Sequence, residues 1–437
     1  MSITGARSPS GPPYTIGVPW AAPVFADYNG QHPLPRSLIV DTPEFTFNSA
    51  LQVRTAATRL AVEQAADALR AAVRPLGVER EDIDAFIASR SSESQEMMSG
   101  PMDLLFLHTA PLTLGQRPWA LHIESILPMF EPFWGHFRTQ HLDADTDPTL
   151  RIVRTLVTAP NCRGILTHVK RTAEDLPVLF KSPELARKIH YAPLGLDMPA
   201  DMWTAAATAM AAKDAKRPED EVVFLFTNSW HQAADSFAKR GGIEVIVGFL
   251  TLLMRRPNCR LILRSTLPDY LDAGLREHVR AHPRIEIYED TIPDAALYDL
   301  LFRADVFLIP SMHLHTISML RAMATGGVVV TTDAVAIEEF VTHGETGFVL
   351  PAWKNVVYWD DRERGLVREA DASNRQTNGT LAANLLMTME HLVLNPDLRV
   401  QLRAKARAAL MERHRVEPWR AKFHDMLRAA IAAPTRN

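Results

Sequence analysis

Two adjacent basic residues followed by two glycines form the segment of this chain whose residue types best suit an anion. Lys239 and Arg240 stand after a predicted strand and just before a predicted helix, and Gly241 follows them. Arginine can bind a phosphate through two parallel hydrogen bonds, while lysine acts as a point charge. We therefore predict that at least one of these cations binds a phosphate. The alternative is that one of them only solvates a loop.

A second segment suited to an anion lies in residues 304–348, which are predicted to hold a buried strand, a loop, a short helix and another buried strand. Open α/β sheets bind ligands at the carboxyl ends of their parallel strands, where this loop would lie. Thr316, Ile317 and Ser318 precede the predicted helix, and the N–H groups at a helix start can bind a phosphate. An ordinary Ser/Thr helix cap is the compatible alternative.

Polar side chains also end other predicted strands. His122 and Glu124 end the buried strand ALHIE and point to one face of it, which favours a shared site that could orient a hydroxyl group. A buried histidine bonded to nearby backbone is an equally good interpretation of His122. Asn228 and Ser229 end the first strand of the second half and could line a phosphate site. Arg264 and Ser265 end the second strand, and Glu289–Thr291 follow the third.

The composition excludes several classes of protein. A chain of 437 residues is too long for one core and suits two domains of roughly 200 residues each. A formal charge of −4 argues against a nucleic-acid binder. The two cysteines, Cys162 and Cys259, are too far apart in sequence to indicate a disulfide framework or a zinc motif. The first residues lack the apolar core of a signal peptide, and the longest apolar run is too short to span a bilayer, so we expect a cytoplasmic protein.

Alternating strands and helices position the polar residues of the first half. We predict an irregular lead-in at residues 1–35 and an α/β domain at residues 36–198. Its predicted elements are strands at Leu38–Val40, Asp103–His108, Ala120–Glu124, Gly164–His168 and Lys188–Ala192 and a helix at Ala50–Val73. Such alternation indicates βαβ units and a mainly parallel sheet.

The same alternation restarts after a polar, Ala-rich segment at residues 199–220, which we interpret as a linker. A second α/β domain is predicted at residues 221–395, followed by closing helices at residues 396–437. Its predicted elements are strands at Val222–Thr227, Arg260–Arg264, Ile285–Tyr288, Val306–Ile309 and Val328–Thr331 and helices at Gly242–Arg255, Ala273–Arg280, Ala295–Phe302, Ser318–Ala324, Leu381–Leu394 and Pro396–Ile431. Residues 352–378 are charged and irregular, which indicates a surface excursion.

Four segments of the second half resemble signatures of one enzyme family. They are KRGGIEVIVGF (239–249), ADVFLIPS (304–311), LRAMATGGVVVTTD (320–333) and IEEFVTHGETGFVL (337–350). In this order and spacing they resemble family 4 of the glycosyltransferases, also called glycosyl transferases group 1. Earlier segments, CRGILTHVKRTAEDL and KIHYAPLGLD, extend the resemblance to about residues 160–430.

The resemblance implies the GT-B architecture, in which two Rossmann-like α/β domains face each other across a cleft and the C-terminal helices pack back toward the first domain. It also implies transfer of a sugar from a nucleotide-diphosphate donor without a cofactor or a metal, with the second domain holding the donor and the first the acceptor. Retention of the anomeric configuration is the inherited expectation. In the family, the carboxylate at the position of Glu339 holds a ribose hydroxyl or the sugar, and a His near the position of His122 lies close to the reacting sugar.

Two residues depart from the family pattern. Relatives carry a pair of glutamates, one contacting the transferred sugar and one the donor ribose, where this chain has His313 and Arg321. His313 could donate a hydrogen bond to a sugar hydroxyl or have no role. Arg321 could reach a phosphate of the donor or pair with an acid such as Glu338 or Asp333.

The leading prediction is a glycosyltransferase that uses a glycan, a lipid-linked or a small-molecule acceptor. The alternatives are a GT-B pseudoenzyme that binds a nucleotide sugar or a partner without turnover, and another GT-B nucleotide-sugar enzyme such as an epimerase. Residues 399–437 hold ten Arg or Lys against three acids. Such a helix could contact an anionic membrane surface, although the solvated face of a closing helix is the commoner reason for it.

Overall fold

A computed structural model of the chain describes residues 13–22, 33–51, 56–90, 100–130, 141–143, 146–228, 236–290, 292–353, 358–361, 366–368 and 378–433. The chain divides into two compact units. Unit 1 comprises Met1–Gly195, Trp359–Glu369 and Val416–Asn437, and unit 2 comprises Leu196–Tyr358 and Ala370–Arg415.

The strands of the described residues are β1 (Tyr14–Gly17), β2 (Phe45–Asn48), β3 (Leu104–His108), β4 (Trp119–Ile123), β5 (His141–Asp143), β6 (Cys162–Thr167), β7 (Ile189–Tyr191), β8 (Val222–Thr227), β9 (Cys259–Arg264), β10 (Ile285–Ile287), β11 (Val306–Ile309), β12 (Val328–Thr332), β13 (Gly347–Leu350), β14 (Tyr358–Asp361) and β15 (Leu366–Arg368). The helices are α1 (Pro33–Arg36), α2 (Ala56–Val73), α3 (Arg80–Arg90), α4 (Pro148–Thr158), α5 (Lys170–Leu179), α6 (Ala200–Asp214), α7 (Ser236–Lys239), α8 (Gly242–Leu253), α9 (Ala273–Ala281), α10 (Asp294–Arg303), α11 (Thr316–Ala324), α12 (Gly379–Leu394), α13 (Pro396–Arg413) and α14 (Val416–Ala432).

Unit 1 is built on a parallel sheet of six strands in the order β2-β1-β3-β4-β6-β7. The central strands β3 and β4 read LLFLH and WALHI and are buried along almost their whole length. Continuous apolar runs of this kind are typical of parallel strands covered by helices on both faces. On one face, α14 packs against β4, β6 and β7.

Two predictions for the start of the chain are wrong. Leu38–Val40 forms no strand, because Leu38 closes a turn in which its N–H donates to the Pro35 carbonyl. The lead-in that we predicted to be irregular contains β1, which pairs in parallel with β2 and β3. The only sequence signal for this strand is the short alternation of residue types in Tyr14–Gly17. Because two prolines precede it, the segment was predicted to be irregular.

Unit 2 contains a second parallel sheet of six strands, in the order β10-β9-β8-β11-β12-β13. The chain runs from β8 outward through β9 and β10, then returns to β11 on the other side of β8 and continues to β12 and β13. The strand order therefore reverses between β8 and β11. Their carboxyl ends lie side by side at this point, which is where open α/β sheets bind their ligands.

The segment that we interpreted as a linker forms a helix, α6, over most of its length. Alanine has the highest intrinsic helix propensity, which explains why an Ala-rich polar segment is helical. Lys213 near its end is buried, and its ammonium group donates to the carbonyls of Leu301 and Thr325. These bonds fix α6 to the rest of unit 2.

Residues 352–378 are only partly a surface excursion. They contain β14 and β15, and β15 pairs antiparallel with β5 in a three-stranded sheet ordered β14-β15-β5. Residues 354–357, 362–365 and 369–377 lie outside the described residues.

The final helical segment is two helices rather than one. α13 ends at Arg413 and α14 begins at Val416, with His414 between them. The carbonyl of His414 accepts the N–H of Leu196, and its ring stacks on Phe340 at a centroid distance of 5.7 Å. α13 belongs to unit 2 and α14 to unit 1.

Candidate functional site

The loop before α8 lies directly against the loop after β11. Gly241 has a positive φ of 72°, and a Cβ at this position would lie 2.7 Å from the carbonyl oxygen of Pro310. A Cβ on Gly242 would lie 2.5 Å from the ring of Phe237. Gly241 is therefore required by its backbone conformation and by the close approach of the two loops. Gly242 is required by the position of the Phe237 ring in α7.

Ser311 fixes the two loops to each other. Its hydroxyl lies 3.3 Å from the carbonyl oxygen of Lys239 and 2.9 Å from Nε2 of His315, and it accepts the N–H of His313 at 3.1 Å. The N–H of Met312 donates to the same Lys239 carbonyl at 3.0 Å. A hydroxyl has one hydrogen, so when Ser311 donates to Lys239, the Nε2–H of His315 donates to Ser311.

The two cations of the KRGG segment have different environments. Arg240 is only 5% exposed, and its guanidinium group donates to the carbonyl of Thr227 at the end of β8. Lys239 is partly exposed at the end of α7. Both lie at the carboxyl ends of β8 and β11, as the sequence indicated. Of the two residues, Lys239 is the more exposed.

The start of α11 lies beside the same junction. The helix begins at Thr316, two residues earlier than the sequence predicted, so Thr316, Ile317 and Ser318 form its first turn instead of preceding it. The N-cap residue, His315, makes no side-chain cap bond. N–H groups of a first turn have no partner inside their own helix, and the helix dipole is positive at this end. This end of α11 is therefore suited to an anion.

Asn228 and Arg264 lie at the same sheet edge and contact each other. Asn228 accepts from the Ser236 hydroxyl at 3.1 Å and donates to the Ser265 hydroxyl at 3.3 Å. Arg264 donates to the Asn228 carbonyl at 2.8 Å, and burial lowers the pKa of its guanidinium group. Because its side-chain amide is bound to two serines, Asn228 holds the end of β8 in place. Ser229 and Thr291, predicted at neighbouring strand ends, lie outside the described residues.

Arg321 pairs with an acid other than the two expected from the sequence. Its guanidinium group donates to Asp294, the first residue of α10, at 3.0 Å and lies over the Tyr298 ring at 5.1 Å. Asp333 is engaged elsewhere, since one of its oxygens accepts the N–H groups of Ala352 and Trp353 at 2.7 and 2.6 Å. The partner is distant in sequence, and for that reason spacing could not identify it.

Glu338 and Glu339 do not begin a helix. They belong to a three-residue 3-10 turn, Ile337–Glu339, that follows Ala336 at a positive φ of 66°. Glu338 is exposed and Glu339 is partly buried.

In unit 1, His122 and Glu124 lie at the end of β4 as predicted, but His122 does not face solvent. Its ring is fully buried between the rings of His108 and His168. The role of His122 near a sugar, which the family resemblance implied, therefore stays a prediction for a side chain that is closed off from solvent. The sequence analysis did not bring His108 and His168 together with His122, although each of three neighbouring strands has a histidine within one residue of its end.

The basic residues of the C-terminal segment largely serve the fold. Arg399 and Arg403 are buried, and Arg403 pairs with Asp214. Arg420 donates to the Ser37 carbonyl, and Arg428 pairs with Glu44 and Asp425. Arg436 lies outside the described residues.

Two further properties concern the described residues as a whole. No group of three or more His, Cys, Asp or Glu side chains within the described ranges has the arrangement of a metal site. In the same part of the chain, no helix combines the length and the hydropathy that a membrane-spanning segment needs.

Comparison with known proteins gives one family and a consistent set of folds. Residues 236–357 match the model of the family described as Glycosyl transferases group 1. No curated protein matches the chain in sequence. The Anabaena protein HepE, in complex with UDP, is similar over 95% of this chain and 100% of its own, with 12% identity and a TM-score of 0.55.

Two other solved structures have similar scores. WaaG, a glycosyltransferase involved in lipopolysaccharide biosynthesis, covers 94% of this chain and 99% of its own, with 12% identity and a TM-score of 0.52. Sucrose-phosphate synthase from Thermosynechococcus elongatus covers 96% and 100%, with 14% identity and a TM-score of 0.52. At such identities the similarity concerns the fold. The match at residues 236–357 and the similar folds of these three proteins confirm the family resemblance and the α/β fold class predicted from the sequence.

Proposed function

We propose that this protein transfers a glycosyl group from a nucleoside diphosphate sugar to a hydroxyl acceptor, with the donor diphosphate bound at the carboxyl edge of the unit 2 sheet. The observation that carries the proposal is the junction at Ser311. It brings the Lys239–Gly242 loop and the start of α11 together at the point where strand order reverses. A cation and a positive helix end at one sheet edge are the two features that a diphosphate requires.

The residues at this edge divide the binding between them. Lys239 and the first turn of α11 (Thr316–Ser318) would bind phosphate oxygens. Arg240 donates to the Thr227 carbonyl at the end of β8, and Asn228 accepts from the Ser236 hydroxyl of α7. Both would support the Lys239–Gly242 loop without contacting the phosphates. Glu339, partly buried in its 3-10 turn, would bind a ribose or sugar hydroxyl, and His313 would donate a hydrogen bond to the transferred sugar. Charge on the leaving diphosphate would thus be stabilised by protein groups rather than by a metal.

For the donor base, uridine is the first choice to test. The similar protein HepE was solved with UDP, although its 12% identity supports the fold and not the ligand. The acceptor would be a glycan, a lipid-linked sugar or a small molecule, and retention of the anomeric configuration follows from the family resemblance. Contact of the C-terminal basic residues with an anionic membrane stays a prediction.

A second candidate is a protein that binds a nucleotide sugar without turnover. The specific observation in its favour is Arg321, because an ion pair with Asp294 stands where relatives have a ribose-binding glutamate. An epimerase or other GT-B enzyme finds no specific support in the geometry.

The test is acceptor-dependent release of nucleoside diphosphate from a panel of UDP-, GDP- and ADP-sugars with glycan and lipid-linked acceptors. We expect one donor to give turnover that Lys239→Ala reduces strongly. Lys405→Ala should leave turnover unchanged, because Lys405 is an exposed lysine of α13 outside the site. Binding of a nucleotide with no turnover for any acceptor would favour the second candidate, a protein that binds a nucleotide sugar without turnover. Neither binding nor turnover with any donor would contradict the proposal.

A further inference from the structure

The two ends of α11, the helix whose start lies at the proposed donor site, are held in different ways. At its start, the N-cap residue His315 makes no side-chain cap bond. At its other end, the N–H of Gly327 donates to the Ala322 carbonyl at 2.8 Å. The N–H of Gly326, which has a positive φ of 80°, donates to the Met323 carbonyl at 3.3 Å. This pair of bonds is the Schellman motif, which commonly ends a helix.

Three basic side chains bind the carbonyls that follow those of the motif. Arg407 donates to the carbonyl of the last residue of α11. Lys213 donates to the carbonyl of the next residue, Thr325, at 2.8 Å. Arg403 donates to the carbonyl of Gly326 at 2.7 Å. Three consecutive carbonyls therefore each accept from one cation, and we refer to Lys213, Arg403 and Arg407 as the cation clamp.

The clamp comes from two helices that are distant from α11 in sequence but belong to the same unit 2. Lys213 lies near the end of α6, and Arg403 and Arg407 lie one turn apart on α13. Both helices approach the end of α11 closely. A Cβ on Gly326 would overlap Cγ of Met210 on α6 and would lie 3.1 Å from Cδ of Arg403 on α13.

Each clamp residue is itself fixed by a further contact. Arg403 is 1% exposed and pairs with the carboxylate of the last residue of α6. Lys213 is 4% exposed and also donates to the Leu301 carbonyl near the end of α10. The guanidinium group of Arg407 lies over the Trp203 ring of α6 at 4.9 Å. Burial of cations costs free energy, and a Schellman motif can end a helix by itself, so ending α11 does not require three cations.

The direction of α11 determines what its first turn can bind. The helix has nine residues and is about 14 Å long. Its backbone N–H groups point along the helix axis toward the start, and a hydrogen bond weakens steeply when its donor angle departs from linear. The clamp fixes the end of this axis that lies away from the ligand. Its cations also compensate the negative end of the helix dipole.

We propose that the cation clamp positions α11 for the donor diphosphate, an assignment that rests on the proposed diphosphate site. Lys213, Arg403 and Arg407 are positioning residues, because they hold the far end of the helix and act on the ligand only through it. Loss of a clamp bond leaves the first turn attached to the loop after β11 but loosens its direction. Affinity for the diphosphate then falls although Lys239 is unchanged.

The test compares two buried arginines of α13 by isothermal titration with UDP, GDP and ADP. Arg403→Ala removes a clamp residue. Arg399→Ala removes an arginine that is 2% exposed and donates to the carbonyls of Leu392 and Val393 at the end of α12. Remote residues change an affinity by about 2- to 30-fold, so we expect Arg403→Ala to weaken the bound nucleotide about fivefold or more. Arg399→Ala should also lose stability in urea denaturation but should bind as the wild type does.

Two further measurements distinguish positioning from a general loss of stability. Arg407→Ala should weaken the nucleotide in the same way, and Arg407→Lys should recover most of the affinity, because an ammonium group can still donate to the last carbonyl of α11. In hydrogen–deuterium exchange without nucleotide, Arg403→Ala should speed exchange of the α11 amides, whereas Arg399→Ala should speed exchange at the end of α12. Unchanged exchange of α11 in Arg403→Ala would overturn the clamp.

The titration outcomes separate the clamp from the proposed function. If folded Arg403→Ala binds the nucleotide as tightly as the wild type, the clamp is wrong while the donor site stands. Equal weakening by Arg403→Ala and Arg399→Ala would also overturn the clamp, since lost stability would then explain the change. If Arg403→Ala does not fold, as judged by circular dichroism, Arg407→Ala takes its place with the same expected loss. If the wild type binds no nucleotide, the proposed function fails and the role of the clamp in donor binding fails with it.

Discussion

Arg321 occupies a position at which related glycosyltransferases carry a carboxylate, and in this chain Asp294 supplies a carboxylate beside it from α10. The sequence located Arg321 and its departure from the family pattern. It could not identify the partner, because Asp294 lies 27 positions earlier and meets Arg321 only through the packing of two helices. The same limit concealed the contacts of His122 with His108 and His168, which lie on or just after two neighbouring strands.

The ion pair gives a first prediction at the residue scale. Asp294→Ala should destabilise the protein, because the guanidinium group of Arg321, only 8% exposed, loses its carboxylate. Asp294 itself is 69% exposed, so solvent screening limits the expected loss in unfolding free energy to about 1 kcal/mol. Urea denaturation measures it. Asp299→Ala, an exposed acid of the same helix, should stay close to the wild type, and equal stabilities of the two variants would contradict a structural role for the pair.

At the scale of elements, the sequence predicted the second half far better than the start of the chain. Strands β8, β9, β11 and β12 are apolar runs bounded by turns, and their positions are confirmed to within one residue. The edge strand β13 was not predicted. β1 is a four-residue strand after two prolines, and it becomes a strand through pairing with β2 and β3. This pairing joins segments that are far apart in sequence, so the local sequence of β1 could not predict it.

Gly241 provides the test at this scale, because Gly344 is its natural control. Both glycines have nearly the same backbone, with φ of 72° and 74°, but only Gly241 has neighbours close to the site of a Cβ. Gly344→Ala should lose about 1–2 kcal/mol for the left-handed conformation alone. Gly241→Ala should lose about 1–3 kcal/mol more through contact with Pro310 and should weaken nucleotide binding.

Thermal and urea denaturation of both variants, with a nucleotide titration of each, measure these differences. Equal losses of stability, or unchanged nucleotide affinity in folded Gly241→Ala, would show that close approach of the two loops is not needed for the site.

At the scale of the whole molecule, each unit contains a parallel six-stranded sheet, and one buried lysine of unit 2 lies away from the candidate site. Burial lowers the pKa of Lys213 to about 7, with the nearby Arg403 cation adding to the effect. A neutral amine keeps two hydrogens, enough for the carbonyls of Leu301 and Thr325.

This lysine predicts how stability depends on pH. Between about pH 7 and 10.5 the unfolded chain binds the Lys213 proton and the folded chain does not. The free energy of unfolding should therefore rise with pH across this window, by at most about 1.4 kcal/mol per pH unit from this group. Below pH 7 both states bind the proton, and the full cost of burying the charge is present. Lys213→Met should remove this part of the pH slope, as measured by urea denaturation at several pH values, and an unchanged slope would contradict the buried, neutral lysine.

The central claim is that the carboxyl edge of the unit 2 sheet binds the diphosphate of a nucleotide donor. Isothermal titration of UDP, GDP and ADP into the wild-type protein, Lys239→Ala and Lys405→Ala tests it most directly. A hydrogen bond to a charged group contributes about 1.5–3 kcal/mol, so we predict that one nucleotide binds and that Lys239→Ala weakens it about 10-fold or more. Lys405→Ala should bind as the wild type does. Equal affinity of all three proteins for the bound nucleotide, or no binding of any nucleotide, would contradict the account.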